Sequence, residues 1–174
     1  GLEGRLQYIK IVKGVKIYND NNATTPEATM AGIEALSVIS KGQNFKKKII
    51  LISGGSDKNL PLGDFVKVIN KYCKAVILIS GNGTDRLLSL KIRIKNYQAK
   101  DLKNALQQSL HLATSGDIIL FSPAFASFGM FSNEDIELHP GPAFYFNGRV
   151  HANGNIYVNG NVTFLAKVTT ANEF

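Results

Sequence analysis

The chain has 174 residues, enough for one domain with a real hydrophobic core or for one domain and an appendage. With 44% hydrophobic and 19% charged residues it is typical of a globular protein, and no apolar run approaches the roughly 20 residues that cross a bilayer. The single cysteine, Cys73, excludes an internal disulfide, and the formal charge of +7 comes from lysines dispersed along the sequence, which argues against a nucleic-acid-binding track.

Up to about residue 121 the sequence alternates between strand and helix patterns. The strands are continuous apolar runs, which is typical of strands buried on both faces of a sheet. The predicted elements are, in chain order, a hairpin over 6–18, a helix over 26–40 that Gly42 ends, a strand over 48–53, a helix over 62–72, a strand over 74–80, a helix over 84–90, an edge strand over 91–94, a helix over 101–114 and a strand over 117–121. Residues 1–133 are therefore predicted to form a doubly wound α/β domain, a mostly parallel sheet with helices on both faces.

The first predicted helix has a clear start signal. Pro26 suits the first turn, because its fixed φ is helical and its missing N–H would have no partner there. Thr24 and Thr25 are both possible N-caps, and Thr24 and Glu27 have the spacing of a capping box. The polar residues 19–25 are thus expected to form a loop between the hairpin and this helix.

Residues 134–174 show no helical period and are predicted to be a small β-rich appendage. A six-residue period runs over 146–169, with Asn-Gly in three of its four units. Two interpretations remain open, namely a β-solenoid, whose rungs such a period can build, and a meander with Asn-Gly hairpins. Four short rungs would not be stable alone and would have to pack on the first domain or on another chain.

Four polar loops follow predicted strands, at the edge where open α/β sheets bind ligands. Backbone N–H groups at the starts of helices favour anions, Gly54 and Gly55 would let the backbone approach a ligand closely, and Lys58 adds a positive charge. Asp20 could accept hydrogen bonds from a ribose or help to hold a metal-bound phosphate. The loops span residues 19–25, 54–58, 81–85 and 122–127.

Several common site patterns are missing from the sequence. No G-x-x-x-x-G-K-[ST] motif occurs, and the start of a dinucleotide fingerprint at Gly81 fails because Arg86 stands at the third glycine position. No metal site is expected, since the three histidines lack ligand spacing with Cys73. Cys73 is predicted to be a packed small hydrophobe, and no catalytic residue is assigned.

Four motifs that occur in order resemble those of the C-terminal domain of the Mur ligases, closest to the ligases that add D-glutamate. The resemblance covers residues 1–133 and implies a Rossmann-like fold. The motifs are Gly1-Leu-Glu-Gly-Arg5, Tyr18-Asn-Asp-x-x-Ala-Thr-x-Pro-Glu-Ala-Thr29, Gly54-Gly-x-Asp-Lys58 and Ser122-Pro-Ala-x-Ala-Ser127 followed by Phe128, Met130, Phe131 and Asn133.

The resemblance implies a cytoplasmic, ATP-dependent acid–amino-acid ligase of peptidoglycan precursor synthesis. Such enzymes activate the carboxylate of UDP-MurNAc-alanine with ATP and Mg²⁺, and the amine of D-glutamate attacks the acyl phosphate to give an amide, ADP and phosphate. The C-terminal domain closes over the nucleotide and the amino acid, which excludes water and positions the amine. The central P-loop domain and the N-terminal UDP-binding domain, which bind most of the ATP and Mg²⁺, are not in this chain, so it is expected to be inactive alone. No nucleic-acid or membrane partner is implied.

The resemblance also implies roles for individual residues. Asn22 stands where the family usually has a lysine that pairs with the glutamate carboxylate, and an asparagine brings no charge, so the amino acid that is added stays open. The residues implied for nucleotide binding are Asp20, Asn19, Arg5 and Lys58, and those implied for amino-acid binding are Ser127, Phe128, Asn22 and Thr24.

The family pattern stops at Glu134, so the appendage could be an insertion or a join between unrelated pieces. A second hypothesis is therefore a non-catalytic binding or surface module, in which the α/β part is a relic and the Asn-Gly repeat does the binding. A third is a chimeric or mis-joined reading frame in which the tail has no selected role.

Overall fold

A computed structural model describes residues 3–39, 47–55, 59–125, 130–132, 134–141, 143–146, 150–164 and 168–171. The chain divides into two compact units, Gly1–Ala126 and Ser127–Phe174. The predicted helix end at Gly42 lies outside the described residues. None of the described helices has the length and apolar character that crossing a membrane requires.

Among the described residues, the first unit contains a six-stranded sheet and four helices. Its strand order is β1-β2-β6-β3-β4-β5, in which β1 pairs antiparallel with β2 at one edge and all other neighbours are parallel. The elements are β1 (Gln7–Val12), β2 (Val15–Asn19), α1 (Pro26–Ile39), β3 (Ile49–Gly55), α2 (Gly63–Tyr72), β4 (Cys73–Ile79), α3 (Asn82–Leu88), β5 (Lys95–Ala99), α4 (Leu102–Leu112) and β6 (Ile118–Phe125).

Helices cover both faces of this sheet. Side chains of α1, α2 and α3 pack on one face, and side chains of α4 pack on the other. The central strands are apolar at nearly every position because both of their faces are covered. The predicted doubly wound α/β fold is therefore confirmed. The helical side chains in the two cores include Ile33, Leu36, Phe65, Ile69 and Leu87 on the first face and Ala105, Leu106 and Leu110 on the second.

The predicted hairpin turn and the start of the first helix at Pro26 are confirmed, and the capping box of Thr24 and Glu27 is wrong. Lys13 and Gly14 form the hairpin turn with φ of 49° and 78°, the left-handed conformation that a tight turn between antiparallel strands requires. At the start of α1, the N–H of Ala28 donates to Thr25 Oγ1 at 3.3 Å. Thr25, rather than Thr24, is therefore the N-cap.

The predicted edge strand over 91–94 is wrong, because the edge strand is β5. The two isoleucines of this segment pack against the core that includes α2, although their alternation with charged residues is typical of a strand. The side chain of Asn70 takes the place of a strand partner, since its Oδ1 accepts the N–H of Arg93 at 2.7 Å and its Nδ2 donates to the carbonyl oxygen of Lys91 at 3.0 Å.

The predicted loop that begins at residue 122 is wrong for its first half, because β6 continues to Phe125. Strand β2 pairs with β6 only as far as Phe121, so Pro123 lies where no N–H is needed on that side. The pairing of β6 with β3 shifts register at this point, and Ala124 has a φ of 63°. The sheet edge is thus irregular where a ligand site is expected.

The second unit consists of short parallel strands. They are β7 (Met130–Ser132), β8 (Ile136–Leu138), β9 (Phe144–Phe146), β10 (Val150–Ala152), β11 (Ile156–Val158), β12 (Val162–Phe164) and β13 (Val168–Thr170). Strand β10 pairs with β7 and β13, β11 pairs with β8, and β12 pairs with β9, all in parallel. Parallel pairing excludes Asn-Gly hairpins, so the solenoid interpretation is confirmed and the meander is wrong.

The six-residue unit is one side of a solenoid turn and not a whole rung. Val150 pairs with Met130 and with Val168, so successive turns take 20 and 18 residues. The described strands therefore form two full turns and the beginning of a third, instead of four rungs. Gly154 lies at a corner of the solenoid, where a Cβ would stand 2.2 Å from Asp135 Oδ1. The glycine of this Asn-Gly pair therefore allows the chain to turn close to Asp135.

Candidate functional site

Two segments that are far apart in sequence meet at the carboxyl edge of the first sheet. Strands β2 and β6 are neighbours, and the N–H of Asp20 donates to the carbonyl oxygen of Phe121 at 2.8 Å, one residue beyond the end of β2. Their next side chains touch, since Ser122 Oγ donates to Asp20 Oδ2 at 2.9 Å. This is the sheet edge where parallel α/β folds bind ligands.

The side chain of Asp20 is held in a buried position, with 5% of the residue exposed. Its Oδ1 accepts the N–H of Leu6 at 3.0 Å, and its Oδ2 accepts the hydroxyl of Ser122. Burial raises the pKa of Asp20 above its ordinary value of 3.8, and the two hydrogen bonds and the charge of Arg5 offset only part of that rise. A buried carboxylate with a shifted pKa at a ligand-binding edge makes Asp20 a candidate functional residue.

A chain of hydroxyl groups leads from Asp20 into the protein. Ser122 Oγ lies 2.9 Å from Thr29 Oγ1 as well as from Asp20, and Thr29 Oγ1 donates to the carbonyl oxygen of Ala23 at 3.5 Å. Both hydroxyl residues are fully buried. Because Ser122 has one hydroxyl hydrogen, an ionised Asp20 and Thr29 compete for it. A protonated Asp20 could instead donate to Ser122, and each hydroxyl would then donate once along the chain.

Helix α1 can approach this carboxylate only because residue 32 is glycine. A Cβ at Gly32 would lie 2.8 Å from Asp20 Oδ2 and 3.3 Å from Leu6 Cδ2. The start of α1, the end of β2 and the segment before β1 therefore meet around Asp20 without space for a larger residue.

Asn22 fastens the segment before β1 to this edge. Its backbone N–H donates to the carbonyl oxygen of Gly4 at 3.0 Å, and its Nδ2 donates to the carbonyl oxygen of Glu3 at 3.1 Å. Arg5 follows directly and is placed beside Asp20. The side chain of Asn22 thus has a structural role through its Nδ2, and its amide oxygen takes part in neither of these two hydrogen bonds.

Arg5, Asp20 and Asn22 line one open pocket of about 480 Å³. Its wall on the α1 side carries only small side chains. A cation, a carboxylate that can accept a hydroxyl hydrogen and a flat apolar wall are the groups that a nucleotide requires, so these residues fit one. The remaining lining residues are Leu6, Ala23, Ala28, Ala31, Gly32 and Ala35.

The other predicted site residues are not all brought into this pocket. Asn19 Oδ1 accepts the N–H of Asn21 at 3.2 Å, and the N–H of Thr24 donates to the carbonyl oxygen of Asn22 at 3.1 Å, so both belong to the same loop without lining the pocket. Lys58, Ser127 and Phe128 lie outside the described residues.

The carboxyl ends of β3 and β4 are packed closely against each other. A Cβ at Gly54 would lie 2.4 Å from the carbonyl oxygen of Ile79, and one at Gly81 would lie 2.4 Å from that of Gly55. Thr84 Oγ1 donates to the same Ile79 oxygen at 2.5 Å. These glycines therefore let the ends of β3 and β4 and the start of α3 approach one another, and the approach of Gly54 and Gly55 to a ligand stays a prediction.

The remaining chemical candidates do not form a second centre. Cys73 is fully buried, and burial raises its pKa to about 12, so it packs as the small hydrophobe that was predicted. Within the described parts of the chain, no three His, Cys, Asp or Glu side chains lie close enough to hold a metal ion.

Sequence reasoning did not identify Thr29 and Gly32 as neighbours of Asp20, and it did not predict the hydrogen bond from Ser122 to Asp20. Thr29 and Gly32 look like ordinary positions on a helix, and Ser122 is 102 residues away from Asp20. The one available signal was that Ser122 follows a buried strand, which placed it at the correct edge but gave it no partner.

The fold and the site can now be compared with known proteins. A sequence model of the family described as Mur ligase, glutamate ligase domain matches residues 4–125. The UDP-N-acetylmuramoylalanine–D-glutamate ligase of Borreliella afzelii is 38% identical over 136 residues, which are 77% of this chain and 29% of that protein. The enzyme of the same name from Roseiflexus sp. is 37% identical over 150 residues, which are 83% of this chain and 29% of that protein.

Solved structures show the same fold. The MurF ligase of Thermotoga maritima in complex with ADP has a TM-score of 0.55 at 20% identity, over 72% of this chain and 28% of that one. The chain spans less than a third of the length of these relatives. It belongs to the Mur ligase family, and residues 4–125 are its glutamate ligase domain.

Proposed function

We propose that this chain supplies the C-terminal domain of an ATP-dependent ligase that adds D-glutamate to UDP-MurNAc-alanine in peptidoglycan precursor synthesis. The observation that supports the proposal is that Arg5, Asp20 and Asn22 line one pocket in a domain that matches the Mur ligase, glutamate ligase domain family. The relatives named as D-glutamate ligases support the choice of amino acid. A cytoplasmic location goes with this reaction and stays a prediction.

The pocket would bind the nucleotide through complementary charges. Arg5 would lie against phosphate oxygens, since a guanidinium matches their geometry with paired hydrogen bonds. Asp20 would accept a hydroxyl of the ribose, with Asn19 and Lys58 contributing from the neighbouring loops. When bound with Mg²⁺, ATP would supply the phosphoryl group that activates the carboxylate of UDP-MurNAc-alanine.

The amino acid would be bound next to the nucleotide. We assign Ser127, Phe128, Asn22 and Thr24 to this role, with Ser127 on a glutamate carboxylate. Because the match covers only 29% of the relatives that carry the activity in their names, the remaining binding groups would come from the P-loop and UDP-binding domains. We therefore expect no turnover from this chain by itself.

The test is a chimera in which residues 4–125 replace the matching segment of the Borreliella afzelii ligase. We expect phosphate release that requires ATP, Mg²⁺, UDP-MurNAc-alanine and D-glutamate together. Arg5→Ala should lower kcat/KM about 10- to 100-fold, because a hydrogen bond to a charged group contributes about 1.5–3 kcal/mol. The matched control Lys10→Ala removes the same charge from an exposed position on β1 and should change kcat/KM less than about twofold.

A folded chimera that releases no phosphate would contradict the proposal and would favour the non-catalytic module. A chimera that is active but unaffected by Arg5→Ala would keep the ligase assignment and remove Arg5 from the nucleotide site. Thermal unfolding of each variant separates these outcomes from misfolding.

Replacement of Asn22 with lysine tests how glutamate is bound. The lysine should lower the KM for D-glutamate in the chimera, since it adds a cation beside the pocket. It should also lower the unfolding free energy by about 1 kcal/mol, because the hydrogen bond from Asn22 Nδ2 to Glu3 is lost. An unchanged KM, with the expected loss of stability, would show that Asn22 only fastens the segment before β1.

A further inference from the structure

The amino-terminal edge of the first sheet, opposite the Asp20 pocket, collects positive charge. Lys47 and Lys48 directly precede β3, Lys71 lies in the last turn of α2, and Lys74, the second residue of β4, is paired with Asp117 at 2.5 Å. These lysines are separated along the sequence but come from the same end of neighbouring elements. The charge that appeared dispersed along the chain is therefore concentrated in space.

The centre of this region is a cleft of about 580 Å³ between α2 and the segment 91–94. Its cationic lining consists of Lys47, Lys67, Lys71, Lys91 and Arg93. No carboxylate is among the described residues that line it. Asp64 pairs with Lys67 at 2.8 Å outside the cleft, and Glu34 acts on Lys71 electrostatically. Each of these carboxylates offsets one cation, which leaves a net positive cleft.

Asn70 fixes the positions of the cationic segments. Its Oδ1 accepts the N–H of Arg93, its Nδ2 donates to the carbonyl oxygen of Lys91, and its own carbonyl oxygen accepts Lys47 Nζ. Two cationic segments, 91–94 and the one that carries Lys47, are thus tied to one half-buried residue of α2. The side chain of Lys71 lies with its Nζ 4.8 Å from the centre of the Tyr72 ring, which orders a fourth cation.

The C-terminus of α2 does not by itself account for the five cationic side chains that line the cleft. Cations near a helix C-terminus offset its partial negative charge, and Lys47 already donates to a carbonyl oxygen in the last turn of α2. Lys91 and Arg93 belong to a different segment and face the same cleft. Bringing like charges together is unfavourable unless an anion is shared between them.

We propose that this cleft binds a small anion with several phosphate groups, such as an inorganic polyphosphate or the polyphosphate end of a nucleotide. Lysine ammonium groups and the arginine fork are the usual ligands of phosphate oxygens. The cleft is concave and has the half-buried Ile94 and the buried Val66 in its wall, which suits a compact ligand better than a flat membrane or a long nucleic-acid strand. This site is separate from the nucleotide pocket and does not depend on the ligase assignment.

The test is a titration of the ¹⁵N-labelled full chain with sodium tripolyphosphate, followed by NMR at constant ionic strength. We expect saturable shifts of the amides at 67–71 and 91–94. The double variant Lys71→Glu/Arg93→Glu should weaken binding at least tenfold. The matched control Lys10→Glu/Lys103→Glu makes the same change in net charge at exposed positions elsewhere and should change binding less than twofold. If the first variant does not fold, Lys71→Gln/Arg93→Gln makes the same test with a smaller charge change.

The NMR map separates this cleft from the nucleotide pocket, whose amides at 4–6 and 20–23 should respond equally in both double variants. Equal weakening by the control variant, or the same response to sulfate at matched ionic strength, would overturn the proposal, because either result means non-specific charge attraction. Tighter binding of anionic lipid vesicles or of an oligonucleotide through the same residues would also overturn it in favour of a macromolecular partner.

Discussion

Replacement of Gly54 with alanine is expected to lower the unfolding free energy of the first unit by about 2–6 kcal/mol. Gly54 has a φ of 118°, a conformation that strains any residue with a Cβ by about 1–3 kcal/mol. The new Cβ would also lie 2.4 Å and 2.7 Å from the backbone oxygen and nitrogen of Ile79, which belong to a central strand and cannot move aside cheaply. The resulting shift of β3 against β4 adds about 1–3 kcal/mol.

The matched control is Gly63→Ala, the same chemical change at the first residue of α2. No atom lies within 4 Å of the Cβ that would be added there. Alanine should therefore raise the unfolding free energy slightly, by about 0.5–1 kcal/mol, because it restricts the unfolded chain. Chemical denaturation of the two variants beside the parent chain measures both effects. A Gly54 variant within about 0.5 kcal/mol of the parent would show that the ends of β3 and β4 are not packed as described.

The sheet could be predicted because each central strand is buried on both faces and therefore consists of a continuous run of apolar residues. The runs 49–52 in β3, 75–79 in β4 and 118–121 in β6 are apolar at every position. The prediction of a strand over 91–94 was wrong because its local pattern fits more than one structure. Its alternating isoleucines satisfy the period of a strand, but they are buried against a helix core while Asn70 supplies the backbone partners. Only the tertiary structure decides between these two uses of one pattern.

The same limit applies to the tail and to the site. Asn-Gly pairs allow both a hairpin turn and a solenoid corner, and the choice depends on pairing between residues 18–20 positions apart. The loop that carries Asp20 could be placed at the carboxyl edge from sequence. Its burial, its bond to Ser122 and the close approach of α1 at Gly32 depend on contacts between distant segments, which no local pattern contains.

Replacement of Asp20 with asparagine is expected to preserve or raise the stability of the chain at pH 7 and to lower kcat/KM of the chimera about 10- to 100-fold. Asparagine fits the hydroxyl chain, because its oxygen can accept the Leu6 N–H while its amide donates to Ser122, Ser122 to Thr29 and Thr29 to Ala23. It cannot offer the charged oxygen to which a nucleotide hydroxyl would donate, and a hydrogen bond to a charged group contributes about 1.5–3 kcal/mol. Asp20→Ala is the contrast, since it leaves the N–H of Leu6 without its acceptor, while Ser122 can still donate to Thr29, and it should cost about 1–3 kcal/mol.

The pH dependence of stability distinguishes this account from a purely structural role. The folded pKa of Asp20 is raised by burial, so the folded chain holds a proton there that the unfolded chain has lost above about pH 3.8. The stability of the parent chain should therefore fall as the pH rises from that value through the folded pKa, and Asp20→Asn should remove this part of the fall. A variant that is less stable than the parent at pH 7, with an unchanged pH profile, would contradict the argument. If Asp20→Asn keeps the stability of the fold and lowers kcat/KM, the charge of Asp20 is not needed for folding. Its role is then to bind the ligand.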